Sequence, residues 1–88
     1  MISSDDIIAM TDIAVYSMPN CEPCKATKKW LARNGIPFEE RDVSSSSDAH
    51  LAALQRLGYR SVPVVVAGTQ HWQGFDPSRL RSLADDLA

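Results

Sequence analysis

The tightest constraint on this chain is the run Pro19–Asn20–Cys21–Glu22–Pro23–Cys24, which holds both of its cysteines. Two thiols at this spacing can close a small disulfide ring and open it again. The residues around the pair predict where it sits. Ile13–Ser17 (IAVYS) alternates and carries β-branched and aromatic side chains, as a short strand does. Met18–Asn20 is a turn with Pro19 as its breaker, and Cys21 to about Arg33 reads as a helix. Pro23 suits the first helical turn, where a missing N–H costs nothing, and Gly35 supplies the stop. Lys25, Lys28, Lys29 and Arg33 give that helix a basic outer face and suit the later turns of its dipole.

The remaining elements follow from turn residues and periodicity. Phe38–Val43 is a second strand behind Pro37, and its charges from Glu39 to Asp42 point to a sheet edge or to limited burial. Ser44–Ser47 is an ordinary loop that offers N-caps to a helix over Asp48–Leu57. Leu51, Leu54 and Leu57 share a face of that helix, and Gly58 ends it. Val62–Ala67 reads as a buried strand opened by Pro63, turning through Gly68–Thr69 into a short strand over Gln70–Gln73. Asp76–Pro77 makes an N-cap and first-turn pair for a last helix to about Leu87, with Leu80, Leu83 and Leu87 at the i, i+3, i+7 spacing of one helix face. The expected order is β-α-β-α-β-β-α. A helical crossover suits a parallel first pair and a tight turn suits an antiparallel hairpin, so the plan is a four-stranded mixed sheet flanked by helices, a thioredoxin-like fold.

With 88 residues, one domain is the expectation. Residues 1–11 read as a flexible N-terminal extension, and 12–88 as the folded domain. Asp5 and Asp6 stand where a signal peptide needs positive charge, and the apolar stretch Ile7–Met10 is too short for one. Val62–Ala67 is the longest apolar run and far too short to span a bilayer. The net charge is −2 with no basic stripe, so neither a nucleic acid nor a membrane is an expected partner. The expectation is a cytoplasmic monomer. In that compartment structural disulfides are rare, and a close cysteine pair serves catalysis or metal binding.

Zinc needs about four ligands. Beyond the cysteines the strong candidates are His50 and His71, far apart in sequence and on different predicted elements. That is not finger spacing, so no metal is expected, and the pair reads as a redox motif. Placement at the helix N-terminus gives Cys21 unpaired N–H groups and a favourable dipole for its thiolate. Cys24 lies one turn in, nearer the protein body. Cys21 is then the nucleophile and Cys24 the resolving thiol. The dipole supplies about 0.3–2 kcal/mol. Glu22 opposes it, since a carboxylate beside the nucleophile disfavours a second negative charge. Withdrawing ~1 kcal/mol from the reduced form lowers the potential by roughly 20 mV, so the site leans toward a reductant, with Lys25 offsetting part of the effect.

Two further features bear on the site. Pro63 at the start of a buried strand lacks the N–H a central strand would use. It is either an edge proline or half of a cis Val62–Pro63 bond that exposes the Val62 backbone to an incoming peptide. His71–Trp72–Gln73–Gly74–Phe75–Asp76–Pro77 sets two large aromatics beside a glycine turn. At least one of them belongs to the core, leaving the other available as a docking surface.

Together these pieces resemble the glutaredoxin-like redoxins, and most closely the NrdH-redoxin family. The resemblance rests on Ile13–Tyr16, the C-x-x-C followed by Lys25–Ala26–Thr27–Lys28, and Arg33–Asn34–Gly35. It continues in Leu57–Gly58–Tyr59, Val62–Pro63–Val64–Val65 and Trp72–Gln73–Gly74–Phe75–Asp76–Pro77. It implies a redox-active Cys21–Cys24 disulfide with Cys21 as nucleophile, Pro63 as a cis-proline, and Val62, Pro63, Trp72, Gly74 and Phe75 at the partner-binding surface, with Glu22, Pro23 and Lys25 tuning the site. It also implies a thiol–disulfide oxidoreductase that acts as an electron carrier and needs no bound cofactor. Electrons would pass from NADPH through thioredoxin reductase to the C-terminal cysteines of the class Ib ribonucleotide reductase large subunit. The chain departs from the family pattern at Glu22–Pro23, Gln73 and Asp76. Glutathione-binding glutaredoxins often carry an aspartate near Asp76 to hold the tripeptide's amine, but they commonly have lysine where this chain has Met18. A glutathione-dependent glutaredoxin is the alternative expectation, and a chain-bridging zinc or iron–sulfur site through Cys21 is a third.

Overall fold

A computed structural model gives the fold and describes residues 13–44 and 48–87. The expected N-terminal extension over residues 1–11 and the caps offered by residues 45–47 lie outside the described residues. Seven elements run in the order β1 (Ile13–Ser17), α1 (Glu22–Arg33), β2 (Glu39–Asp42), α2 (Asp48–Arg56), β3 (Val64–Ala67), β4 (Gln70–Gln73) and α3 (Pro77–Leu87). The order is the one the periodicity predicts.

The four strands form one sheet in the order β2-β1-β3-β4. β1 and β2 are parallel across the α1 crossover, while β1–β3 and β3–β4 are antiparallel. All five residues of β1 are buried, because the strand is central and both faces of the sheet are covered. Alternation sends Ile13 and Val15 to one face, where they meet Leu31, Ile36, Val65, Trp72 and Leu80 under α1 and α3. Ala14 and Tyr16 go to the other, against Leu54 and Val64 under α2. β2, with its charges, is an edge strand, the first of the two settings expected for it.

α1 buries Cys24, Thr27 and Leu31, a stripe with helical spacing. The helix ends in a Schellman motif: Ile36 N–H donates to the Leu31 carbonyl at 2.9 Å and Gly35 N–H to that of Ala32 at 3.1 Å. Gly35 takes φ of +66°, a left-handed conformation that a side chain would strain. α2 closes the same way through Gly58 and Tyr59.

Three expectations change in detail. β3 starts at Val64 and leaves Pro63 outside the ladder, since proline has no N–H to give it. Leu87 is 54% exposed although its spacing puts it on the face of Leu80: α3, about 16 Å long, outruns four-residue strands of about 13 Å. Leu51 is 40% exposed while Leu54 on the same helix is 2% exposed, so the buried stripe of α2 begins a turn later than its leucines suggest.

Candidate redox site

β1 delivers the chain to the site. After Ser17 the backbone turns through Asn20 at φ +61°, a left-handed conformation that asparagine tolerates better than most residues. Cys21 is then the N-cap of α1, with extended backbone angles. Its sulfur accepts the Cys24 N–H at 3.2 Å and so occupies the place of a capping oxygen. Cys21 and Cys24 are joined as a disulfide with Cα atoms 5.2 Å apart, within the range a disulfide needs. The sulfurs are unequally placed: Cys21 is half-buried at the surface and Cys24 is fully buried.

Pro23 sits in the first turn, where the helix has no use for its missing N–H. Its carbonyl accepts the buried Thr27 hydroxyl at 2.8 Å. Glu22 and Lys25 form an ion pair at 3.4 Å, with side chains 84% and 60% exposed. A pair this open to water contributes little.

The strand register brings the other expected residues to the same end of the sheet. Tyr16 pairs with Val64, and Val64 with Gln73, so the Cys21 loop, the Pro63 turn and the Gly74 turn share one edge. The Val62–Pro63 peptide is cis and Pro63 is buried. Gly74 N–H donates to the Pro63 carbonyl at 2.8 Å, and Gln73 Nε2 to Ser61 Oγ at 3.0 Å, tying the two turns together. Gly74 holds φ of +94°, which favours glycine at this junction. The two aromatics divide. Trp72 is 5% exposed in the core, with the Arg79 guanidinium 5.7 Å from its ring centre, while Phe75 is 39% exposed at the rim.

Asp76 caps α3. Its Oδ1 accepts the Arg79 N–H at 3.1 Å, and its Oδ2 lies 3.7 Å from the Arg79 side chain. Both carboxylate oxygens are thus engaged within the chain. Met18, three residues before Cys21, is 42% exposed and carries no charge.

One feature beneath the site was not foreseen. Glu40 of β2 accepts the Ser17 hydroxyl at 2.8 Å and pairs with the Lys28 ammonium on α1. The bond from Lys28, and then the one from Ser17, hold the Glu40 carboxyl below the usual carboxylate range. The charged run Glu39–Asp42 read only as an edge strand or one of limited burial. Period-two alternation across β2 was the signal that could have turned Glu40 toward α1. Among the described residues, no three histidine, cysteine or acidic side chains gather in a metal-holding arrangement, and no helix is long and apolar enough to cross a membrane.

A helix cap whose sulfur closes a disulfide with the next turn is a candidate redox site. A glutaredoxin family model matches residues 13–72. The chain belongs to the glutaredoxin family. It is 35% identical over 72 residues to the glutaredoxin-like protein NrdH of Lactococcus lactis, covering 82% of this chain and 99% of that one. The NrdH of Escherichia coli is 37% identical over 71 residues, covering 81% and 86%. Among solved structures, the Escherichia coli NrdH-redoxin, a glutaredoxin-like protein with a thioredoxin-like activity profile, superposes with a TM-score of 0.74. That match is 37% identical and covers 81% of this chain and 92% of that one. Within the family the chain is of NrdH-redoxin type.

Proposed function

We propose that the protein is a dithiol electron carrier, reduced by thioredoxin reductase with electrons from NADPH, and that it reduces the disulfide of class Ib ribonucleotide reductase. The observation that carries this reading is the Cys21–Cys24 disulfide at the N-terminus of α1, with its outer sulfur on the Cys24 N–H and its inner sulfur buried. In the reduced protein the Cys21 thiolate attacks one sulfur of the partner's disulfide. A mixed disulfide forms, and the partner's other sulfur leaves and takes a proton. Cys24 then loses its proton and attacks Cys21 Sγ, which releases the partner's second thiolate. Two electrons and one proton pass to the partner, which is left as a thiol and a thiolate that takes its proton from water, and the protein is left as the disulfide. No bound cofactor is needed.

On this reading an extended partner segment aligns along the Val62–Pro63 turn, and Phe75, 39% exposed, offers it an apolar contact. Such chemistry suits a monomer in the reducing cytoplasm. Glutathione is the poorer reductant on this reading. The candidate amine-holding carboxylate, Asp76, is occupied by its own helix and Arg79, and Met18 offers no charge to the tripeptide's carboxylates. NADPH oxidation with purified thioredoxin reductase and a disulfide acceptor tests this, run beside glutathione with glutathione reductase. Fast turnover is expected in the first assay only. Equal rates in both would overturn the choice of reductase in favour of a glutathione-dependent glutaredoxin.

A further inference from the structure

The edge strand β2 carries a carboxylate that this chemistry has not used. Glu40 stands in register with Val15, and parallel partners in register project to the same face. Glu40 therefore looks toward α1, not α2. There a single oxygen, Oε2, accepts the Ser17 hydroxyl and pairs with the Lys28 ammonium. Ser17 is the last residue of β1 and 1% exposed. Lys28 lies one turn beyond the buried Cys24 on the same side of the helix. One atom thus joins the two ends of the segment 18–27, which contains both cysteines.

The pair differs from the other ion pair on this helix. Glu22 and Lys25 are mostly in water, whereas Lys28 and Glu40 are 28% and 46% exposed and the Glu40 carboxylate also accepts a buried hydroxyl, that of Ser17. Screening is weaker there, so a change in either charge is felt further along the helix.

We propose that Glu40 is a positioning residue for the dithiol, closing the segment from Ser17 to Lys28 and cancelling the Lys28 charge beside Cys24. This rests on the electron-carrier reading. A cation near a thiol favours the thiolate, and thiolate character belongs only to the reduced protein. In the native protein Glu40 withholds that help and keeps the couple more reducing.

The test is the equilibrium of each variant with a reference dithiol of known potential. Glu40→Gln keeps an acceptor for Ser17 but frees the Lys28 charge. It should shift the equilibrium roughly three- to ten-fold toward the reduced form, about 15–30 mV upward. Lys28→Met leaves the carboxylate uncompensated instead and should shift the equilibrium the other way. Glu40→Gln combined with Lys28→Met should return close to the native value, and Lys28→Arg should hardly move it. Opposite signs are the decisive feature, because a loosened loop would move both single variants in one direction. Shifts of the same sign, or none, overturn the role of Glu40 while leaving the carrier intact. A native protein with no reversible dithiol couple would instead sink the carrier reading, and this role with it.

Discussion

Two helices of this protein begin in the same way at the same end of the sheet. In α1 the cap is Cys21 and the N–H of Cys24 meets its sulfur at 3.2 Å. In α3 the cap is Asp76 and the N–H of Arg79 meets its carboxylate at 3.1 Å. Each has a proline in its first turn, Pro23 and Pro77. The devices match, but the capping atoms do not. A carboxylate is a strong acceptor in every state the protein visits, so the α3 cap is a fixed anchor. Sulfur accepts weakly in a thiol or disulfide and strongly as a thiolate. The α1 terminus therefore favours one redox state over the other, and a stabilising motif becomes a reactive one because its cap can change charge.

The largest effect should come from breaking the symmetry between the two cysteines. Cys24→Ser is expected to abolish turnover and accumulate a mixed disulfide through Cys21, visible as an adduct by intact-mass measurement under non-reducing conditions. If Cys21→Ser traps the adduct instead, the exposed cap is not the nucleophile and the comparison fails at its first step.

Asp76→Ala probes the anchor. Losing an N-cap costs about 1 kcal/mol, which for a domain of this size lowers Tm by about 4–8 °C. Asp76→Asn should recover most of the loss, since asparagine caps as well. Neither variant should move the reduction potential by more than about 10 mV, a third of the ~30 mV that a tenfold change represents. A larger movement would show that the two termini are electrostatically coupled and not independent.

How far these features could be read from sequence depends on whether they are local. The strand at Ile13–Ser17, the helix that follows it to Arg33 and the glycine stops at Gly35 and Gly58 each follow from spacing within a dozen residues, and the structure shows them as expected. So did the edge position of β2, because a run of four charged residues has no place in the middle of a sheet. Periodicity assigns a helix face but not where the sheet beneath it stops, which is why Leu51 and Leu87 lie more exposed than their spacing predicts. The Val62–Pro63 peptide could be cis or trans on sequence alone, because the surrounding chain chooses between them. Alternation along β2 can set Glu40 on the face opposite its neighbours, but its role also requires the parallel register with β1 and the path of Lys28 above it, and neither is local.

Glu22 sharpens the comparison from the other side. It places an acid in the first turn of α1, whereas α3 has none there. That acid lies beside a cap that must itself become negative. Glu22→Val should raise the reduction potential, but the carboxylate's exposure and its pairing with Lys25 reduce the effect to roughly 10–20 mV. Equilibration with a reference dithiol measures it, and a fall would mean that Glu22 acts on the site other than by its charge.

The smallest expected effect concerns pH. Glu40 is held in its charged form by Lys28 and Ser17, so its folded pKa lies below its unfolded value. A group shifted that way adds stability that is fully present above the unfolded value and is lost as pH falls through the folded one. The loss belongs on the acid side of the ordinary carboxylate range, with nothing changing near neutrality. Because Glu40 is 46% exposed and Lys28 28%, screening keeps the contribution below about 1 kcal/mol. Glu40→Gln should flatten the acid limb of a stability–pH curve by that amount and leave its shape above the carboxylate range unchanged. Asp76→Ala offers the contrast, since its lost cap should lower the curve near neutrality too. An acid limb identical in the native and Glu40→Gln proteins would mean that the carboxylate gains nothing from its partners on folding, and the tie between β2 and the redox helix would then be a contact without energetic weight.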